Sequence, residues 1–157
     1  MRMNIVNNRI PSGNCFIGDT EFITKHGIIN MKEHVGEIHE VYSLEGEWRS
    51  AVVMYFGKGN IWSVKLSNGS EHLCTDTHDW IVKTHSDEYK RIRTSDIWPF
   101  MILPTKDKEF VYVKSIENLN KTADTYCLVQ PHSHSFTLSD GVITGNCICD
   151  LSRDSQL

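Results

Sequence analysis

The sequence predicts an all-β protein, and three observations lead to that prediction. Apolar residues fall in short runs that are rich in β-branched and aromatic side chains, which strands favour. Turn signals built on glycine and asparagine separate these runs, and the hydrophobic periodicity is that of strands nearly throughout. A chain of 157 residues can bury one sizeable core. We therefore expect one compact β domain.

The first half of the chain contains six predicted strands. In order they are Glu21–Thr24, His39–Leu44, Trp48–Phe56, Ile61–Leu66, Ser70–Cys74 and Trp80–Lys83. The turns between them are predicted at His26-Gly27, Glu45-Gly46, 57–60, Asn68-Gly69 and Asp76-Thr77. Asn68-Gly69 is the preferred pair for a two-residue type I′ hairpin, so it predicts a tight antiparallel pair on either side.

The second half contains four predicted strands and one of two predicted short helices. The strands are Glu109–Ile116, Thr125–Val129, Ser135–Leu138 and Val142–Thr144. The helices are predicted at 30–36 and at Thr94–Ile97, the latter ended by Pro99. Residues 1–14 and 147–157 are polar and carry no full strand pattern. Their composition fits frayed termini and also fits the ends of a second, interrupted protein.

Composition and charge argue against several classes of function. A formal net charge of −4 is not that of a nucleic-acid-binding protein, and the short basic run Lys90-Arg91-Arg93 is predicted to be solvated surface. No apolar run approaches the ~20 residues that span a bilayer. The N-terminal residues lack the apolar stretch of a signal peptide, so we expect a cytoplasmic protein. Five cysteines, an odd number, disfavour a disulfide framework and indicate metal binding or covalent chemistry.

The tripeptide Gly-Asn-Cys occurs twice, at 13–15 and at 145–147. Joining Asn14 directly to Cys147 would remove residues 15–146 and leave one Gly-Asn-Cys. A thiol that opens the removable segment and an Asn-Cys pair that closes it are the reactive groups of self-splicing. A repeat of common turn residues can also arise by coincidence, so further residues are needed to choose.

The chemistry at the two junctions would be as follows. Cys15 attacks the carbonyl of Asn14 in an N-to-S acyl shift, and Cys147 then takes the upstream acyl group. Asn146 cyclises on its own carbonyl and releases the segment. Orientation is decisive, because well-placed intramolecular reactions reach effective molarities of ~10⁵–10⁸ M. The two Asn-Cys pairs are locally alike, so the folded site must decide which reaction occurs at each.

Thr75 and His78 form a T-x-x-H pair shortly after the predicted hairpin turn. Thr75 can hydrogen-bond the backbone of the upstream junction. His78 can donate a proton to the departing Cys15 nitrogen, because a histidine side chain ordinarily titrates near neutrality. A lone histidine in a turn is more often a surface residue, so this spacing alone is a weak signal.

The chain resembles an intein, a self-splicing element of the Hint superfamily. Three stretches match the family's motifs, namely Cys15 to Thr20, Gly69 to His78, and Tyr126 to Cys147. The resemblance implies a horseshoe-like all-β fold with its termini brought together, and single-turnover autocatalytic splicing without cofactor or metal. The segment from Ile81 to Glu109 is too short for the homing endonuclease of larger inteins, which implies a mini-intein.

The resemblance also implies domain boundaries and partners. Residues 1–14 would be an N-extein stub, 15–146 the splicing domain, and 147–157 a C-extein stub. The partners would be the chain's own flanking segments, with no nucleic acid or membrane, and the protein would be a monomer. At the upstream junction, Cys15 would be the first nucleophile, activated by Thr75 and His78, and Cys147 would be the acceptor.

At the downstream junction, the resemblance implies that His134 assists while Asn146 cyclises. Gly145 departs from the family's pattern, since many inteins carry a histidine at this penultimate position that helps cyclisation. His134, a water molecule or the backbone would have to suffice in this chain. Slow downstream cleavage is one expected consequence, although some members of the family lack this histidine.

Cys127 is a second departure, because it follows Tyr126 where many inteins have aspartate. An unusual intein class places a branch-forming cysteine there, and Trp80 fits that class. That class lacks the first cysteine and has threonine after the branch cysteine, whereas this chain has Cys15 and Leu128. The ordinary pathway is therefore predicted. Cys127 is expected either to relay protons between the junctions or to be a small buried packing residue.

Two rival functions remain open. A zinc-binding module could use His132 and His134 with Cys147 and Cys149, although the one-residue spacings are tighter than in zinc fingers and Cys15 would have no role. A cleavage-only Hint autoprocessing domain is the other. It would not require the Asn-Cys pair at 146–147.

Overall fold

The computed structural model describes residues 15–146, so residues 1–14 and 147–157 lie outside the described residues. The described residues form strands and one 3₁₀ turn at Thr94–Asp96. The strands are β1 (Phe16–Ile17), β2 (Glu21–Thr24), β3 (Gly27–Asn30), β4 (Ile38–Tyr42), β5 (Trp48–Leu66), β6 (Glu71–Thr75), β7 (Asp79–Lys83), β8 (Tyr89–Arg93), β9 (Ile102–Leu103), β10 (Val111–Val129), β11 (Ser135–Thr137) and β12 (Ile143–Gly145). The predicted all-β class is confirmed.

The two longest strands of the sheet are β5 and β10, with 19 residues each. They pair antiparallel from Val113 opposite Leu66 to Val129 opposite Val52. The sequence predicted a break in each, so the prediction of short strands is wrong here. At the expected turn in β5, Gly57 adopts a φ of 89° and faces Thr125 as part of a β-bulge. Pairing with neighbouring strands overrides the local turn preference of this stretch.

The sheet order brings distant parts of the sequence together. Ten strands of the described chain lie in the order β3-β2-β4-β5-β6-β1-β10-β9-β7-β8, with β5 also paired to β10. Strands β11 and β12 form a separate antiparallel pair. The short strand β1 lies between β6 and β10, so the residues that begin the described chain are held centrally in the sheet.

Several local predictions need correction. Strands β1, β3, β8 and β9 were not predicted, because each is short or mostly polar and is held by pairing with neighbours. The segment 30–36 forms turns and no helix, with the Asn30 side chain accepting a hydrogen bond from the Glu33 amide at 2.9 Å. The predicted type I′ turn is wrong because Gly69 has positive φ and Asn68 does not. The second predicted helix is the 3₁₀ turn, which ends at Asp96.

Aromatic side chains join the large sheet to the β11–β12 pair. Phe136 of β11 is fully buried and packs edge-to-face against Phe16 at 6.1 Å and Phe22 at 6.2 Å between ring centroids. Each such ring buries roughly 150–250 Å², so these contacts fix the small pair on the sheet. Within residues 15–146 no helix has the length and apolar character needed to cross a membrane.

Candidate functional site

Two hydrogen bonds with Thr75 hold the backbone of Cys15 in place. The Cys15 amide donates to Thr75 Oγ1 at 3.3 Å, and the Thr75 amide donates to the Cys15 carbonyl at 2.9 Å. Both residues are 1% exposed. The geometry arises because β1 pairs with β6, with Phe16 opposite Cys74. The side-chain oxygen of Thr75 therefore touches the nitrogen of the peptide bond between Asn14 and Cys15.

Cys127 lies on the other side of β1. Phe16 pairs with Tyr126 of β10, and continuing this antiparallel register by one residue places Cys127 opposite Cys15. Cys127 is fully buried. The two thiols predicted to act at the site are thus on adjacent strands, a placement compatible with both proton relay and packing. Cys74 is different, because burial raises the pKa of its thiol to about 12, and it remains protonated at neutral pH.

His78 is buried, so the alternative of a surface histidine is wrong. Its amide donates to the Thr75 carbonyl at 3.2 Å, which fixes the turn after β6. The imidazole packs against the Phe16 ring at 4.2 Å between centroids, and its Nε2 lies 2.8 Å from Thr144 Oγ1. Since Thr144 precedes Asn146 by two residues, His78 contacts both ends of the described chain.

Asn146 is fully buried at the end of β12. Its amide donates to the His134 carbonyl at 3.0 Å, next to the pair formed by Ser135 and Gly145. Among residues 15–146, neither Nδ2 nor Oδ1 of its side chain has a hydrogen-bond partner. A buried amide in this state is costly, and such groups in native structures call for a functional or structural explanation.

His134 occupies a left-handed backbone conformation with a φ of 55°. This conformation costs about 1–3 kcal/mol in a residue other than glycine and is frequent at functional sites. The loop is built on Gln130, a fully buried side chain. Its Nε2 donates to the Ser135 carbonyl at 3.1 Å, and its Oε1 accepts from the His132 amide at 2.7 Å. Sequence reasoning missed Gln130, whose only signal is its place just after a buried apolar strand.

Arg91 of β8 also reaches this loop, which corrects the prediction that it is solvated surface. Its Nη2 donates to the His134 carbonyl at 2.7 Å and to the Ser133 carbonyl at 3.1 Å. Burial lowers the pKa of the guanidinium, and the charge of Asp79 opposes that effect. One indirect hint in the sequence is the glycine at position 145. The structure shows that the Arg91 guanidinium lies where a side chain at that position would be.

One group of described residues has the chemistry of a metal site. His34, Glu37 and His39 offer ligand atoms that lie within 4.8 Å of one another. Each imidazole is 2.8 Å from Glu37 Oε1, and these hydrogen bonds lower the pKa of that carboxyl. The group lies outside the set of predicted site residues.

For the predicted zinc alternative, the two cysteines lie outside the described residues. His132 Nε2 is 3.6 Å from Glu45 Oε2. Burial raises the pKa of Glu45, but hydrogen bonds from Ser133 and Ser43 outweigh it and bring the pKa to about 2. The carboxylate next to His132 is therefore an anion that organises the loop.

The site residues and the fold can be compared with known proteins. No protein-family model matches the chain, and no curated protein matches it in sequence. The solved structure of a triple variant of the gp41-1 intein is 21% identical, with a TM-score of 0.68 over 85% of this chain and 100% of that one. A DnaB intein from Synechocystis sp. PCC 6803 is 18% identical, with a TM-score of 0.69 over 83% of this chain and 97% of that one. The chain has the intein fold.

A similar fold also occurs in a domain that is described as intein-like. A bacterial intein-like domain from Clostridium thermocellum is 15% identical to the chain, with a TM-score of 0.64 over 85% of this chain and 99% of that one. The predicted fold is thus confirmed, and the choice of reaction depends on the site itself. Of the predicted site residues, Cys15, Thr75, His78 and Cys127 lie in or directly beside β1, β6, β7 and β10, and a backbone hydrogen bond joins His134 to Asn146. Cys147 lies outside the described residues.

Proposed function

We propose that the chain is a mini-intein that excises residues 15–146 and ligates Asn14 to Cys147. The observation that carries this proposal is the His78–Thr144 hydrogen bond of 2.8 Å. It connects His78, whose amide is bound to the Thr75 carbonyl, to strand β12, which ends directly before Asn146. A domain built for an unrelated purpose has no need to bring these two distant junctions to one buried site.

The first step is an acyl shift at the upstream junction. The Cys15 sulfur attacks the Asn14 carbonyl carbon, the bond to the Cys15 nitrogen breaks, and that nitrogen takes up a proton, leaving a thioester. The Thr75 hydroxyl, 3.3 Å from this nitrogen, supports a role in holding the peptide bond. His78 is the proposed proton donor, because its imidazole is fixed against the side chain that follows Cys15.

The remaining steps release the domain. The Cys147 thiol attacks the thioester carbon and displaces the Cys15 thiol. The Asn146 Nδ2 then attacks its own carbonyl carbon, the bond to the Cys147 nitrogen breaks, and a proton passes from Nδ2 to that nitrogen. A succinimide remains on the excised domain, and an S-to-N shift restores an amide between Asn14 and Cys147. The buried side chain of Asn146, without protein partners among residues 15–146, supports its role as the attacking group.

The proposal includes the partners and the setting of the reaction. The chain acts in cis, once, on its own flanking segments. Its thiol nucleophiles require a reducing compartment, which agrees with the expected cytoplasmic location. The zinc-binding alternative is not favoured, because the architecture is that of inteins. Cleavage without ligation is the outcome that the experiment must separate from splicing.

Intact-mass analysis of the freshly expressed chain under reducing conditions tests the proposal. We expect the domain 15–146 and a peptide in which residues 1–14 are joined to 147–157. Cys15→Ala should abolish ligation. Asn146→Ala should retain the domain and release residues 1–14 when excess thiol is added. Cys74→Ala is the matched control, because this buried thiol has no proposed role and ligation should continue.

Three results would contradict the proposal. They are full-length protein alone after prolonged incubation of the parent chain, excision by Asn146→Ala, or ligation by Cys15→Ala. Release of the flanking segments without their joining would identify a cleavage-only domain instead.

A further inference from the structure

The residue before Asn146 has no room for a side chain. A Cβ built on Gly145 would lie 2.7 Å from the Asp79 carbonyl oxygen and would overlap Nη1 of Arg91. Gly145 does not have positive φ, so its backbone alone does not require glycine. The requirement comes from the close approach of β12 to β7 and from the guanidinium, which takes up the space a penultimate side chain would fill.

The guanidinium is fixed in this place by two carbonyls. Arg91 Nη2 donates to His134 at 2.7 Å and to Ser133 at 3.1 Å. The same His134 carbonyl accepts the Asn146 amide at 3.0 Å. Arg91 and the Asn146 amide thus donate to the same acceptor, the His134 carbonyl oxygen. Its Nη1 is buried and has no hydrogen-bond partner among residues 15–146.

We propose that Arg91 is a positioning residue for Asn146 cyclisation, supplying from β8 the function that no side chain at position 145 can supply. This inference rests on the proposed splicing function. Arg91 acts through the His134 carbonyl, which it holds in the orientation that anchors the Asn146 backbone. Its positive charge also lies beside the peptide that precedes the cyclising residue.

The charge matters because of how the cyclisation step proceeds. When Asn146 Nδ2 attacks its own carbonyl carbon, the carbonyl oxygen gains negative charge until the bond to the Cys147 nitrogen breaks. A preorganised cation in a buried site stabilises that charge without reorganisation of solvent. A half-buried guanidinium with an unpartnered N–H gains more from the developing charge than a solvated one would.

The test isolates downstream cleavage in a Cys15→Ala background, where the upstream acyl shift is blocked. Release of residues 147–157 is followed by intact mass in chains carrying Arg91→Met, Arg91→Lys or Arg93→Met. We expect Arg91→Met to slow release about 10- to 100-fold, less than the ~10²–10³ loss for a direct oxyanion donor. Arg91→Lys should recover part of the rate. Arg93→Met, which removes an exposed charge from the same strand, should have little effect.

Two further measurements separate positioning from a general structural role. In an Asn146→Ala background, thiol-induced release of residues 1–14 should proceed as fast with Arg91→Met as without it. In Arg91→Ala, added methylguanidinium should restore downstream cleavage, whereas neutral methylurea at the same concentration should not.

The outcomes distinguish this inference from the function on which it rests. If the parent chain releases no flanking segment, the proposed function fails. If the parent splices but Arg91→Met cleaves downstream at the parental rate, only the role of Arg91 is overturned. Equal slowing of both junctions, or equal rescue by methylguanidinium and methylurea, would also overturn it.

Discussion

At the scale of single residues, the groups proposed to react could be named from the sequence, whereas the residues that contact and hold them could not. Cys15 and Asn146 stand in a duplicated tripeptide, and Thr75 and His78 lie at a recognisable spacing. Arg91 acts through carbonyls more than forty positions away in the chain, as the Ser133 contact shows. Such long-range contacts leave no local pattern, because they depend on which strands become neighbours.

Thr75→Val should slow the upstream step more than the downstream one. The substitution keeps the shape of the side chain but removes the oxygen that contacts the Cys15 nitrogen. We expect thioester formation to fall about 10- to 100-fold, less than the ~10²–10³ for loss of a direct oxyanion donor, because Thr75 Oγ1 accepts from the Cys15 amide and holds the peptide bond in place. Thiol-induced release of residues 1–14, measured in an Asn146→Ala background, reports this step.

Thr125→Val is the matched control for this prediction. Thr125 is equally buried, lies on the neighbouring strand β10 and donates a hydrogen bond to the Gly57 carbonyl at 2.8 Å. Its loss has a comparable structural cost but leaves the Cys15 backbone contact in place. If both valine variants slow the upstream step equally, Thr75 has a packing role and no specific role at the junction.

At the scale of elements, strand identity was easier to predict than strand extent. Strand β2 was predicted with the observed bounds, and β11 and β12 were each predicted within one residue at either end. The long strands were split in the prediction because glycines within β5 and polar residues within β10 indicate turns when read locally. Pairing between β5 and β10 satisfies their backbone groups along most of the ladder, including the stretches where turns were expected, and it overrides the local turn preference.

Gly145→Ala should weaken the packing of β12 on β7. The added methyl meets the Asp79 carbonyl, which is backbone and cannot move aside without shifting β7. Overpacking of this kind costs about 1–3 kcal/mol, and a domain of this size should lose several degrees in Tm. Thermal unfolding of an Asn146→Ala background, which prevents excision during the measurement, gives the value.

A double variant checks the stated cause of that loss. Gly145→Ala combined with Arg91→Ala removes the guanidinium but leaves the Asp79 carbonyl, so stability should not recover to that of Arg91→Ala alone. Full recovery would mean that the flexible guanidinium, and not the backbone of β7, sets the requirement for glycine.

At the scale of the whole molecule, Asp140 ties the β5–β6 hairpin to the turn between β11 and β12. Its Oδ2 accepts from Ser70 Oγ at 2.7 Å and lies 2.8 Å from His72 Nε2, while Oδ1 accepts from the Val142 amide at 3.1 Å. Burial raises the pKa of this carboxyl, but the hydrogen bond and charge of His72 outweigh it, so the pKa lies well below its ordinary value. The Asp140 carboxylate therefore links the ten-stranded sheet to the β11–β12 pair.

Asp140→Asn should therefore change how stability depends on pH. A depressed folded pKa stabilises the native state above the unfolded value near 4, and this contribution is lost as pH falls from there toward the folded pKa. We expect a loss of about 2–3 kcal/mol at pH 7, smaller than the 3–5 kcal/mol for breaking a fully buried pair. The difference between parent and variant should shrink as pH falls below about 4.

Urea unfolding at several pH values, in an Asn146→Ala background, measures this difference. Asp87→Asn is the control, because its carboxylate is 84% exposed and its pair with Lys83 should contribute almost nothing. A pH-independent difference between parent and Asp140→Asn would mean that the carboxylate charge is not the source of its effect.

The His78–Thr144 hydrogen bond also bears on timing during synthesis. The ribosome makes Cys15 long before Thr144, and β12 is the last strand of the described chain to emerge. Until β12 is in place, the hydrogen bond between His78 Nε2 and Thr144 Oγ1 cannot form. A thioester formed earlier would be exposed to hydrolysis before the acceptor thiol exists, because Cys147 is synthesised three residues after Thr144. Under the proposed function, the bond would act as an interlock and delay the first reaction until the chain holds the group that receives its product.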